Sequence, residues 1–324
     1  MSGRIGLLGG LLAAQVVIIA GLLLASGVGS DASAPHLLSF DPTNVTKLSV
    51  SGEGETVGMA RDGDVWRLQG GAPNGLPADG GKIKEVLDKL VGLDAPWPVA
   101  TSDDSAERFE VTEGKHQRRL VIEDADGPVA DLLLGTSPGY RRVHARLSGA
   151  SEVYSIDFSN FEAPTDADQW LDKALLAAKG EVSSVVLEEA WRLARHDGDW
   201  LIDGAPADAE AADDLVRRFT GLRVLGTSDE EADAAGDADA AGEPAAVFVV
   251  TDEDGEHRLT LFHEAEEDDY SLTSDRVAGR FGVATYIAEQ MLADPADLQT
   301  DAAETAAEAE DDVLEEGAVS DQEG

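Results

Sequence analysis

Six histidines, His36, His116, His144, His196, His257 and His263, are the side chains best suited to hold a metal or move a proton near neutral pH. No two have the helical spacing of a metal pair, and no His-Glu-x-x-His occurs. His257 and His263 share one face of an expected strand, but six steps at strand rise set them about 20 Å apart. The histidines are therefore expected at the surface. Acids cluster around Asp-Gly four times, at Asp62-Gly63-Asp64, Asp124-Ala125-Asp126-Gly127, Asp197-Gly198-Asp199 and Asp252-Glu253-Asp254-Gly255. A calcium loop needs a third oxygen ligand before the glycine and a bidentate Glu six residues after it. None of the four has both, and each lies between expected strands, where Asp-Gly makes a tight turn. There is no Cys, which excludes a thiol nucleophile, thiolate metal sites, disulfides and a lipoprotein-type lipid anchor. Neither a serine nucleophile elbow nor a phosphate-binding loop is read in the chain. With 65 acids, no carboxylate pair can be singled out for acid-base work. These residues point to a protein that is not an enzyme and that holds no cofactor and no metal.

One basic stretch breaks the acidic background: Tyr140-Arg141-Arg142-Val143-His144-Ala145-Arg146. Strand alternation puts Tyr140, Arg142, His144 and Arg146 on one face and Arg141, Val143, Ala145 and Leu147 on the other. The first face is the candidate partner-binding site, suited to an acidic partner. The alternative is a solvated face paired with neighbouring acids.

Alternating apolar residues predict strands over 45–50, 56–61, 64–68, 119–123, 129–134, 140–147 and 152–156. Asp79 is placed to cap a helix whose apolar residues, Ile83, Val86, Leu87 and Leu90, follow the i, i+3, i+4, i+7 rule, and Gly92 stops it. A helix is also expected over Trp170 to Ala178. The order then returns. Ala60-Arg61-Asp62-Gly63-Asp64-Val65-Trp66 is echoed by Ala194-Arg195-His196-Asp197-Gly198-Asp199-Trp200. A helix over 208–220 carries Ala212, Leu215, Val216 and Phe219 where the first has its four apolar residues. Later strands match at separations of 128 to 130 residues, with Leu133-Leu134 set against Leu261-Phe262. Trp66 and Trp200 are expected to anchor the two cores.

The expected fold is α+β: an N-terminal transmembrane helix followed by two tandem repeats of an antiparallel sheet packed on an amphipathic helix. Residues 1–30 form a signal anchor, 31–43 a tether, 44–180 the first repeat and 181–297 the second. The acidic runs 226–243 and 298–324 are expected to be a disordered loop and a disordered tail.

The apolar, uncharged run over residues 5–28 is about 36 Å long as a helix, enough for a hydrocarbon core of about 30 Å. Arg4 precedes it and Asp31 follows it. The N-terminus is therefore expected in the cytoplasm and the rest outside a single-pass inner membrane protein. A cleaved signal peptide, cut at Ala32-Ser33-Ala34, is the alternative, but the run exceeds the usual apolar core of roughly 7–15 residues. The net charge is −41. Without the two acidic runs, 48 acids still face 24 bases, so the folded part is acidic and repels nucleic acid.

Asp64-Val65-Trp66-Arg67-Leu68, Ala78-Asp79 and the helix ending Leu90-Val91-Gly92-Leu93 are similar to an uncharacterised bacterial family built on a domain of unknown function. Leu132-Leu133-Leu134-Gly135, Tyr140-Arg141-Arg142-Val143 and Val153-Tyr154-Ser155-Ile156 extend the resemblance, which covers residues 45 to about 178 well and the second copy more loosely. The Gly-Leu-x-x-Pro usual in that family stands here as Arg108-Phe109-Glu110-Val111. The resemblance implies a single-pass protein encoded beside gliding-motility-type ABC transport components, and it brings no catalytic residues. The expected function is that of an extracytoplasmic accessory or scaffold protein, with a transporter permease or related subunit as partner. A cell-envelope protein that binds glycan or another envelope component is the alternative.

Overall fold

In a computed structural model, the described residues are 35–70, 74–95, 97–228, 243–264, 269–292 and 294–299. The expected membrane span at 5–28 lies outside them, and no described helix is long and apolar enough to cross a membrane. The described chain is mixed α+β, rich in strands, and dominated by two antiparallel sheets.

The first sheet is built from β1 (Lys47–Gly52), β2 (Glu55–Asp62), β3 (Val65–Gln69), β6 (Arg118–Asp124), β7 (Gly127–Leu134), β8 (Val143–Leu147) and β9 (Tyr154–Ile156), in the order β3-β2-β1-β6-β7-β8-β9. Helix α1 (Gly80–Val91) follows β3. A short helix, α2 (Asp103–Arg108), and a small ribbon of β4 (Val111–Thr112) and β5 (Lys115–His116) precede β6. The second sheet holds β10 (Ser184–Leu187), β11 (Trp191–His196), β12 (Asp199–Ile202), β13 (Ala205–Pro206), β14 (Val224–Thr227), β15 (Ala246–Asp252), β16 (Gly255–Glu264), β17 (Asp269–Ser274) and β18 (Arg280–Val283). Its order is β13-β12-β11-β10-β15-β16-β17-β18-β14. Helix α3 (Ala209–Thr220) leads into β14, and α4 (Thr285–Met291) follows β18.

Local chemistry explains the helices. Asp79 accepts from the Lys82 N–H at 2.9 Å and Asp208 from the Ala211 N–H at 2.7 Å, each satisfying a backbone donor left over at a helix start. Ile83, Val86, Leu87 and Leu90 are all buried on α1, the face that the spacing predicts. On α3, Ala212, Leu215 and Phe219 are buried and Val216 packs at the margin. Each fully buried aliphatic side chain contributes about 1.5–3 kcal/mol. Trp66 and Trp200 are buried in the core, and the Trp200 Nε1–H donates to Asp213 of α3 at 2.8 Å.

Strand pairing revises the expected match of the later strands at separations of 128 to 130 residues. Ile122 faces Ala130 but Glu123 faces Pro128, so Val129 is an extra residue, a bulge, in β7. The β15–β16 ladder runs without a shift, from Ala246 opposite Leu261 to Asp252 opposite Gly255. Aligning by ladder therefore sets Leu132 against Leu259, Leu134 against Leu261, and Ala130 against His257. A one-residue offset exchanges the two faces of a strand, so the match of Leu133-Leu134 to Leu261-Phe262 puts inward residues against outward ones.

The helix expected over Trp170–Ala178 does not form. A 3₁₀ turn over Ala167–Gln169 is followed by turns, because the backbone here bonds outward, to the segment leading into α1, to the end of α3 and to β14. The Trp170 carbonyl accepts from the Asp79 N–H and the Asp172 N–H donates to Pro77, while the Lys173 carbonyl accepts from Val224 and the Ala178 N–H donates to Phe219. Trp170, Leu171, Leu176 and Ala178 are buried in a core continuous with both sheets. The expected acidic loop starts later than 226, since Gly226 and Thr227 pair with β18 in β14. The tail likewise starts later than 298: Leu298 is buried and Gln299 bridges to Ala207. The rest of both runs, 229–242 and 300–324, lies outside the described residues.

Candidate functional site

Tyr140, Arg142, His144 and Arg146 do not form one exposed face. Arg141 has a φ of 53°, in the left-handed region, so Tyr140 and Arg141 make a turn and the strand begins only at Val143. Tyr140 is 91% exposed. Arg142 folds back on β9, donating from Nε to the Ser155 Oγ at 2.9 Å and from its terminal nitrogen to the Ser155 carbonyl. It thereby covers a carbonyl at the edge of the sheet. His144 is buried, stacked on Phe109 at 4.0 Å between ring centroids, with Nδ1 3.0 Å from the Thr136 Oγ1. Burial, helped by the Arg108 cation, lowers its pKa against the pull of Thr136. Arg146 donates to the Val111 and Ala150 carbonyls. Arg142, His144 and Arg146 thus tie the β4, β8 and β9 region together, while Tyr140 and Arg141 stand exposed at the turn.

Contrary to the expected absence of a serine elbow, Gly135-Thr136-Ser137-Pro138-Gly139 has the Gly-x-Ser-x-Gly spacing of a hydrolase nucleophile. The structure puts it in the connection from β7 to β8, not in a strand-to-helix turn. The Ser137 Oγ lies 2.7 Å from both the Gly139 and Arg142 carbonyls, and the nearby histidine, His144, bonds Thr136 instead. A turn held by its serine accounts for this geometry.

The densest buried charge lies in the second sheet, at the Asp252-Glu253-Asp254-Gly255 turn. The Asp252 side chain has no solvent exposure. Its Oδ1 accepts from the Asp254 N–H and from Arg276, and its Oδ2 from the Lys179 N–H and from Arg276, all at 2.8 to 2.9 Å. Burial opposes the carboxylate charge, but the Arg276 fork and the two N–H donors prevail and hold its pKa far below the usual range. Beside it His257 is 2% exposed, its Nδ1 3.7 Å from Asp252 and neither ring nitrogen hydrogen-bonded. The sequence signal for this cluster is an Asp-Gly turn and an isolated Arg276, and turn chemistry does account for part of it. What the sequence does not carry is that a segment more than 70 residues away supplies an N–H. The expected surface position of the histidines is corrected for His144 and His257, since both lie on inward or covered strand positions.

Among the described residues, no group of three or more His, Asp or Glu is placed to hold a metal. An open groove of about 410 Å³ between α3, α4 and residues 294–298 is lined by Asp214, Arg218, Glu289, Asp294 and Asp297. Three aromatics are more than 90% exposed: Trp97, Tyr140 and Phe161. All three lie on segments next to or bonded to the β7–β9 part of the first sheet. Trp97 leads into Val99–Ala100, which pair with Val153; Tyr140 neighbours Arg142; and Phe161 follows Asn160, which donates to the Gly135 carbonyl.

No curated protein and no solved structure matches the chain. One family model, a domain of unknown function (DUF4340), matches residues 66–242, from the tryptophan of β3 through the whole of β14. That match spans more than half of the chain, which belongs to the DUF4340 family.

Proposed function

We propose that the chain is a membrane-anchored, extracytoplasmic accessory protein that binds a partner protein without catalysing a reaction. In this reading it carries two copies of one α+β module. The observation that carries the partner-binding part is the near-complete exposure of the aromatics Trp97, Tyr140 and Phe161, on segments attached to the β7–β9 part of the first sheet. Exposed aromatic side chains are enriched at protein contact surfaces. The corresponding part of the second sheet differs: β14 pairs along β18 there, and its exposed apolar residues are the less prominent Leu225 and Tyr286.

Duplication is supported by the shared strand order, by the aspartate cap on α1 and on α3, and by the pairing of Arg61 with Trp66 and of Arg195 with Trp200 across equivalent hairpins. The anchor is supported by the uncharged apolar run over 5–28. A transporter permease or related subunit is the proposed partner, on the resemblance to single-pass proteins encoded beside ABC transport components.

The test is recovery of partner subunits by the full chain purified in detergent, compared with a Trp97→Ser, Tyr140→Ser, Phe161→Ser variant. The reading expects an ATPase and a permease with the wild type and their loss, at unchanged thermal stability, with the variant. Equal recovery by both proteins would remove the aromatics from the interface. Recovery of neither subunit, together with retention on isolated glycan, would replace this reading with the envelope-binding one.

A further inference from the structure

The join between the inter-sheet segment and the second sheet contains a group that the proposed function does not use. Asp252 holds the Lys179 N–H, the Glu253 N–H donates to the Lys179 carbonyl, and the Lys179 ammonium pairs with Asp254 at 3.1 Å. Against this clamp lies His257, on the same face of β16 as Leu259 and Leu261 and so on the core side. Ladder pairing puts it where the first sheet has Ala130, so packing does not require an imidazole there.

The charges acting on His257 are Asp252, which ends β15, and Arg276 and Asp275, which follow β17, while at the adjoining turn Asp254 is paired with Lys179. A carboxylate has about four lone-pair sites. Those of Asp252 are taken by two backbone N–H groups and by Arg276 twice. An imidazolium at His257 would thus present two N–H donors to a dry site whose one near acceptor is saturated, beside the Arg276 cation.

We propose that His257 is a proton-operated release for this join: when its ring takes up a second proton, the Asp252 clamp opens and residues 179–181 leave the β15–β16 turn. Burial first, and then Arg276, lower its pKa against the opposing pull of Asp252 and Asp275. The open state therefore binds the proton more tightly than the closed state. The closed join is fully stable above the ordinary histidine pKa of about 6.5 and loses stability as pH falls below it. Asp252 titrates in a separate window, since a carboxyl with a depressed pKa loses its contribution only below about pH 4.

Hydrogen exchange of the full chain between pH 7.5 and 5, corrected for the chemical exchange rate at each pH, tests the proposal. The peptide spanning 176–183 is read beside one from β1. One linked proton predicts that protection at 176–183 falls by up to tenfold per pH unit below about 6.5, while β1 holds. His257→Ala and His257→Met remove the slope, the second keeping side-chain volume if the first packs poorly. Protection at 176–183 that stays flat above pH 5, that falls equally in both variants, or that falls in step with β1 would each overturn it.

Discussion

Asp252 shows how a residue's environment decides its role. Its sequence neighbourhood reads as a turn, and it is one, with the Asp254 N–H folded onto its carboxylate. Folding adds Arg276 and the Lys179 N–H, and the carboxylate becomes a fully buried ion. Breaking such a pair from one side leaves an uncompensated buried charge and costs about 3–5 kcal/mol. Arg276→Met should therefore lower the unfolding free energy by that amount in a urea titration at pH 7. The paired change Asp252→Asn with Arg276→Met should cost less than Arg276→Met alone. Little of this was legible beforehand, because one sequence does not show which distant segments meet. The basic stretch fared similarly. Its residue types are unusual, but alternation from Tyr140 assumed an unbroken strand, and the left-handed Arg141 ends that assumption. Arg142 and Arg146 then spend their donors on backbone carbonyls.

At the scale of elements, local rules carried further. The α1 face and the Asp79 cap follow from spacing and side-chain chemistry alone, since they need only residues within one helix, and the structure adds Asp208 as the matching cap of α3. Leu90→Ala should cost about 2–5 kcal/mol and Phe219→Ala about 3–5 kcal/mol, while Asp79→Ala should cost about 1 kcal/mol. Denaturant midpoints for the three variants check that ranking; an Asp79→Ala loss as large as that of Phe219→Ala would contradict it. Register was less legible. The Val129 bulge is a tertiary choice, and its one-residue shift does not show in the residue types of the two halves. The segment 170–178 has helix-forming residues, yet backbone bonds to Pro77, Asp79, Val224 and Phe219 outweigh that preference.

For the whole molecule, composition set the physical terms. A chain of charge −41 repels itself, and added salt screens that repulsion over about 10 Å at 0.1 M. Its melting temperature should rise as sodium chloride increases from 0.05 to 0.5 M. A fall would mean that surface ion pairs, which salt weakens, dominate instead. The sheets share one continuous core through the segment that joins them. Partner binding by the exposed aromatics on segments attached to the β7–β9 part of the first sheet is the central claim, and co-purification tests it most directly. Full-length protein in detergent should bring down an ATPase and a permease, and the Trp97→Ser, Tyr140→Ser, Phe161→Ser variant should lose both while melting at the same temperature. Equal recovery by the two proteins, or recovery of neither subunit by the wild type, would contradict it.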